Sequence, residues 1–209
     1  MIHPHRKEGI IMREVVQKVY KFNELSEEVQ SKVVKDHRYD FVDDGWWTIC
    51  PDEAFTEDML HAYGFETDKN GVSFSLYDAE GGAGFTGTFQ NIEYAIKVAN
   101  KFDTEGRISD DVLDEIRRYG EVNVCRYSWT QQDTREWNTY VELLIDGNPM
   151  EEDEKYSEFI DALEGWRKEQ CGSLYDSALS TYEYYTSDEY VRQELEEGNY
   201  EFLADGTNF

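Results

Sequence analysis

Residues 72–89 read VSFSLYDAEGGAGFTGTF, and the pattern in them decides what kind of fold the chain can adopt. Val72, Phe74 and Leu76 alternate with Ser73, Ser75 and Tyr77, and after a Gly-rich turn Phe85, Gly87 and Phe89 resume the two-residue period. That period predicts a β-hairpin at the start of an antiparallel sheet. Gly81, Gly82, Gly84 and Gly87 also raise the reading of a phosphate-binding loop. Such a loop needs a helix N-terminus behind it and a cation beside it, whereas residues 83–86 lead into a strand and Asp78 and Glu80 bring negative charge. The glycines are expected instead to allow positive φ in the turn and close backbone approach in a crowded sheet.

Upstream of this hairpin, residues 15–22 alternate Val15, Gln17, Val19 and Lys21 against Val16, Lys18, Tyr20 and Phe22, predicting a strand with one buried face. Ser26 then caps a helix running to about Asp40, with Val29, Val33, Val34, His37 and Phe41 inward. Asp43, Asp44, Gly45, Trp46 and Trp47 end it, and the tryptophan pair is expected to close a core beneath it. Pro51 and Asp52 open a second helix with Phe55, Met59, Leu60 and Tyr63 inward and Gly64 as a left-handed C-terminal cap.

Downstream, Asn91 caps a helix carrying Ile92, Ala95, Ile96, Ala99 and Phe102. Ser109 caps another carrying Val112, Leu113 and Ile116 and stopped by Gly120. Residues 121–129 and 137–145 form a second hairpin joined by TQQDTRE and ended by a Gly-Asn-Pro turn. From Met150, EEDEK leads into one long helix with Phe159, Leu163, Trp166, Gln170, Leu174, Ala178, Tyr182 and Tyr185 on its inner side, eased at Gly165 and Gly172. Thr186 and Glu189 form a capping box for a last short helix holding Val191 and Leu195, and residues 200–203 return as an edge strand before an Asp205-Gly206 turn. The expected fold class is α+β: an antiparallel sheet of four to five strands with helices on one face and a long C-terminal helix. Residues 1–12 read as a leader or extension, with Met12 a second candidate start, and residues 13–209 as a single domain.

The 209 residues carry a formal charge of −26 and a pI near 4.3, yet 15% of them are aromatic. Aromatic richness argues for a folded chain that carries its acid on the surface. Such a surface repels nucleic acid and anionic lipid and attracts basic grooves. Cys50, Cys125 and Cys171 are odd in number and lack a CxxC spacing, so three free thiols in a reducing cytoplasm are expected. No apolar run approaches the ~20 residues that span a bilayer.

YKFNELSEEVQSKVV followed by DDGWW, then FSLYDAEGGAGFTGTF, and finally YEYYTSDEYVRQELEEGNYEFLADG resembles a family of small acidic proteins encoded by bacteriophages and prophages, in which motifs of these types occur in this order. The resemblance covers most of the chain, departs around residues 100–150, and is most specific in the tail. It carries no catalytic residues across; it implies a mobile-element setting in a bacterial host.

Enzyme motifs are missing: there is no GxSxG serine, no HExxH, and no cysteine close in sequence to a histidine. His3 and His5 lie in the leader, and His37 and His61 sit singly on helices. Glu151, Glu152, Asp153 and Glu154 lack the alternating donors and central glycine of a calcium loop and read as a solvated helix start, so neither metal nor cofactor is expected. The active feature is then the acid itself, because carboxylates three or four residues apart on a helix stand about 5–6 Å from one another and can imitate a nucleic-acid backbone. The candidate partner-binding residues are Asp43 and Asp44, then Glu151, Glu152, Asp153, Glu154, Glu158 and Asp161, and in the tail Asp188, Glu189, Glu194, Glu196 and Glu197. The expected partner is a basic nucleic-acid-binding host protein or Cas effector, and the expected role a phage-encoded inhibitor of anti-CRISPR or antirestriction type. An antitoxin-like or regulatory acidic protein and a carboxylate-dependent hydrolase remain as alternatives.

Overall fold

The computed structural model describes residues 16–42, 57–69, 71–76, 81–127, 139–151 and 153–209. The chain divides into two compact units, one of residues 1–41 with 186–209 and the other of residues 42–185.

The larger unit is α+β. Its five-stranded antiparallel sheet has the order β1 (Phe65–Thr67), β4 (Gly87–Phe89), β5 (Gly120–Arg126), β6 (Thr139–Ile145) and β7 (Asn148–Pro149), and a two-stranded sheet pairs β2 (Ser73–Ser75) with β3 (Gly82–Gly84). The helices are α2 (Glu57–His61), α3 (Ile92–Phe102), α4 (Asp110–Tyr119) and the long α5 (Ser157–Tyr185). On β5 and β6, Val122, Val124, Val141, Leu143 and Ile145 are buried while Asn123, Tyr140, Glu142 and Leu144 are only half-covered. The alternation puts the helices on one face and leaves the other open.

The hairpin of residues 72–89 is divided differently from the expectation. Residues 73–75 pair with 82–84, and 87–89 leave them to join β1 and β5 in the main sheet. The break falls at Gly87, whose φ is 154°: a Cβ there would lie 2.1 Å from the Glu66 carbonyl oxygen. Close approach therefore explains the cluster better than turn geometry, since Gly81, Gly82 and Gly84 have no positive φ and all three are buried. A Cβ on Gly81 would meet the Tyr175 hydroxyl of α5 at 2.8 Å.

Caps and apolar spacing set the helices. Asn91 accepts from the Glu93 N–H and Ser109 from the Val112 N–H, and Gly64 takes the left-handed conformation at φ 69° with its N–H on the His61 carbonyl. Leu60 is buried, but Met59, expected inward, is 38% exposed; Phe55 lies outside the described residues. α5 is continuous through Gly165 and Gly172, and the missing side chain at Gly165 lets the Phe102 ring of α3 come within 3.6 Å of the Cβ position. Trp166 on α5 is fully buried among Phe65, Phe85, Phe89 and Tyr63, with ring centroids 5.1–5.8 Å away. Asp146 and Gly147, at φ 49° and 76°, make a two-residue turn that folds β7 back on β6 where the sequence predicted only a terminating turn.

The smaller unit joins the two ends of the chain. Its helices are α1 (Glu27–Asp36), capped by Ser26, and α6 (Asp188–Glu197), capped by Ser187 and so one residue later than the predicted Thr186. Phe22, Leu25, Val33, Val34, Val191, Leu195 and Phe202 form its core. The strand predicted over residues 15–22 reduces to one bridge between Tyr20 and Phe202, followed by a 3-10 turn, Phe22–Glu24. Val16 is 90% exposed, so the alternation there has no sheet to bury it. The edge strand predicted over residues 200–203 is likewise confined to bridges at Phe202.

Candidate functional site

The negative charge is unevenly shared: residues 42–185 hold 32 of the 46 acids and 11 of the 20 bases. Asp43, Asp44 and Glu152 lie outside the described residues. In the larger unit, Glu151 is exposed, Asp153 caps the 3-10 turn Glu154–Tyr156 by accepting from the Lys155 N–H at 3.0 Å, and Glu154 is exposed within that turn. Glu158 pairs with Arg107 at 3.0 Å, and Asp161 faces solvent on α5. In the smaller unit, Asp188 pairs with Arg38, Glu197 accepts from Gln193 Nε2 at 3.0 Å, Glu189 and Glu196 are exposed, and Glu194 is half-buried. The predicted helix acids thus fall into two groups on separate units, and Glu158 and Asp188 are already neutralised within the protein. Asp188 and Glu189 also occupy the first turn of α6, where the helix dipole favours negative charge.

A second set of carboxylates, which periodicity did not single out, stands on the open face of the sheet. Register aligns Glu66 with Thr88, Thr88 with Asn123, and Asn123 with Glu142, so one polar row crosses β1, β4, β5 and β6. Directly opposed residues share a face and strands lie about 4.8 Å apart, so the row spans about 14 Å. Glu121 stands on the same face two residues along β5, and Asp68 follows the end of β1. Glu66, Asp68, Glu121 and Glu142 make no ion pair with another described residue. Glu121 accepts from Asn123 Nδ2 at 3.2 Å, and Glu142 from the Cys125 thiol at 3.6 Å.

A groove of about 620 Å³ opens here, lined among others by Asp68, Lys69, Thr86, Glu121, Cys125 and Arg126. Its existence follows from the pairing: β4 begins at Gly87 opposite Val124, so β5 continues through Cys125 and Arg126 with no β4 partner. Arg126 donates to Ser73 Oγ at 2.8 Å. Beyond Arg126, the Tyr127 and Tyr140 rings stack with centroids 4.4 Å apart. Burial pushes the Cys125 thiol up to about 11, helped by the negative charge of Glu142 and Asp68. Burial also raises Tyr140, aided by Cys125 and Glu142. A thiol so placed is a poor nucleophile at neutral pH.

Among the described residues no group of three His, Cys, Asp or Glu side chains could hold a metal ion. Cys125 and Cys171 are free thiols, and Cys50 lies outside the described residues. His37 is buried in the smaller unit with Nδ1 2.6 Å from Asp40, packed edge-on to Phe202, and His61 is exposed at the end of α2. No described helix is long and apolar enough to cross a membrane. The chain matches no protein-family model, no curated protein and no solved structure. The likeness to phage-encoded acidic proteins therefore rests on the short motifs alone.

Proposed function

We propose that this protein is an acidic inhibitor, encoded by a bacteriophage and acting in the host cytoplasm, that binds a basic groove on a nucleic-acid-handling defence protein of CRISPR–Cas or restriction type. It acts by occupancy rather than by catalysis. The observation that carries this reading is a net charge of −26 borne by a folded, aromatic-cored chain. Exposed carboxylates at Glu151, Glu154, Asp161, Glu189, Glu196 and Glu197 supply the field that such a groove would meet. A partner that normally grips phosphates with lysine and arginine exchanges counterions in the same way when it grips these carboxylates.

The test is affinity capture from bacteria carrying defence systems, with the captured protein then bound to pure inhibitor at increasing salt. Affinity should fall steeply between 50 and 200 mM salt, as it does for phosphate contacts. Affinity independent of salt would overturn the proposal.

A further inference from the structure

We infer that the open face of the five-stranded sheet, and not the acidic helices, is the surface on which the partner docks, and that it takes an extended arginine- and lysine-bearing segment of that protein. The inference rests on the proposal that the partner is basic. It goes further by naming the contact and the shape of what fits it.

Three observations carry it. The first is the state of this face among the described residues: Val122, Val124, Val141 and Leu143 are buried on the helix side, while Thr88, Asn123 and Glu142 on the other side are only half-covered, and Thr88 and Asn123 line the groove. The second is charge complementarity. Among the described residues Glu66, Asp68, Glu121 and Glu142 have no cation paired with them, whereas Glu158 and Asp188 have theirs. An unpaired carboxylate keeps its full attraction for an incoming guanidinium, but a paired one must first give up its partner. The third is chemistry suited to a peptide between those charges. Thr88, whose hydroxyl donates to the Val122 carbonyl, and Asn123, whose amide donates to Glu121, keep acceptor oxygens for a main-chain N–H, and the stacked Tyr127 and Tyr140, with Tyr127 55% exposed, offer an aromatic face to a guanidinium.

The geometry also gives the segment a length. A row of about 14 Å accommodates four or five extended residues at about 3.3 Å each. Its acids are Glu66, Glu121 and Glu142, and Lys69 and Arg126 are among the residues that line the groove. The bound segment therefore places cations over the carboxylate row.

Acetylated hexa-arginine is the probe, titrated into the ¹⁵N-labelled full chain at 150 mM salt. Amide shift changes should concentrate at residues 66, 88, 121, 123 and 142. The double variant Glu121→Gln/Glu142→Gln should bind at least tenfold more weakly, while Asp36→Asn/Asp111→Asn, with the same loss of charge at exposed helix positions, should stay within twofold of the unaltered protein. Equal weakening in the two variants, or shifts centred on α6 and the start of α5, would overturn the sheet face and leave the acidic-inhibitor proposal standing. No binding of hexa-arginine at this salt would overturn both. Mapping on the unaltered chain keeps the result decisive if the double variant does not fold.

Discussion

Removing the Glu164 carboxylate provides the sharpest test of how the sheet is held. Glu164 lies on α5, and its Oε1 accepts from the Val141 N–H at 2.5 Å, on the edge of β6 that β7 is too short to cover. Its Oε2 accepts from Arg167 Nε at 2.8 Å and lies 2.7 Å from Nη2. The Arg167 side chain is 4% exposed and also donates to Thr139 Oγ1 at 3.0 Å. Glu164→Ala thus strands a strand-edge N–H, at about 1–3 kcal/mol, and takes one charged partner from a buried guanidinium, a loss that costs about 3–5 kcal/mol when both groups are fully buried. The Glu164 side chain is 22% exposed and Arg167 keeps Thr139, so the sum is reduced to about 3 kcal/mol. For a chain of this size that lowers the melting temperature by about 6–12 °C. Glu164→Gln keeps an acceptor for Val141 and should fall between the two. Urea titration followed by near-ultraviolet circular dichroism measures the loss. A value below 1 kcal/mol for the alanine variant would refute the claim that this pair closes the β6 edge.

Three further outcomes follow from particular contacts. Gly87→Ala places a methyl group 2.1 Å from the Glu66 carbonyl oxygen and should prevent the β1–β4 pairing, visible as lost amide-exchange protection at Phe65 and Phe89, whereas Gly147→Ala meets no atom within 4 Å and should fold with only the strain of a positive φ. Leu195→Ala empties part of the smaller core and should cost about 2–5 kcal/mol, raising amide exchange at Val33 and Val34 more than at Val122 and Val141. Cys125, with its pKa pushed up to about 11, should be about 1% thiolate at pH 9 and react sluggishly with iodoacetamide. Because Glu142 helps hold that pKa up, Glu142→Gln should lower it and speed alkylation below pH 10; an unchanged rate would contradict the negative field assigned to the open face.

Local signals were legible in the chain and distant pairings were not. Ser26, Asn91 and Ser109 announce their helices because a capping side chain bonds within three residues of itself, and the spacing from Phe159 to Tyr185 shows α5 because burial on one side repeats at every turn. β1 was missed because three residues carry too little alternation, and residues 72–89 were paired wrongly because both halves alternate equally well with several partners. The strand expected at residues 15–22 shows the reverse failure, a period without a neighbouring strand to use it. The same physics hid the sheet-face carboxylates. Glu121 and Glu142 read singly as the solvent side of ordinary strands, and only the register through Thr88 and Asn123 brings them into line with Glu66. The helix acids were conspicuous because they are contiguous, yet their contiguity says nothing of Arg107 and Arg38, which approach Glu158 and Asp188 from other elements.

Displacement of the captured partner by nucleic acid addresses the central claim most directly. With the partner bound to this protein at fixed ionic strength, added duplex DNA or the partner's own guide RNA should release it in proportion to concentration, because both are proposed to occupy one basic groove. A partner that stays bound at saturating DNA and RNA would contradict the account.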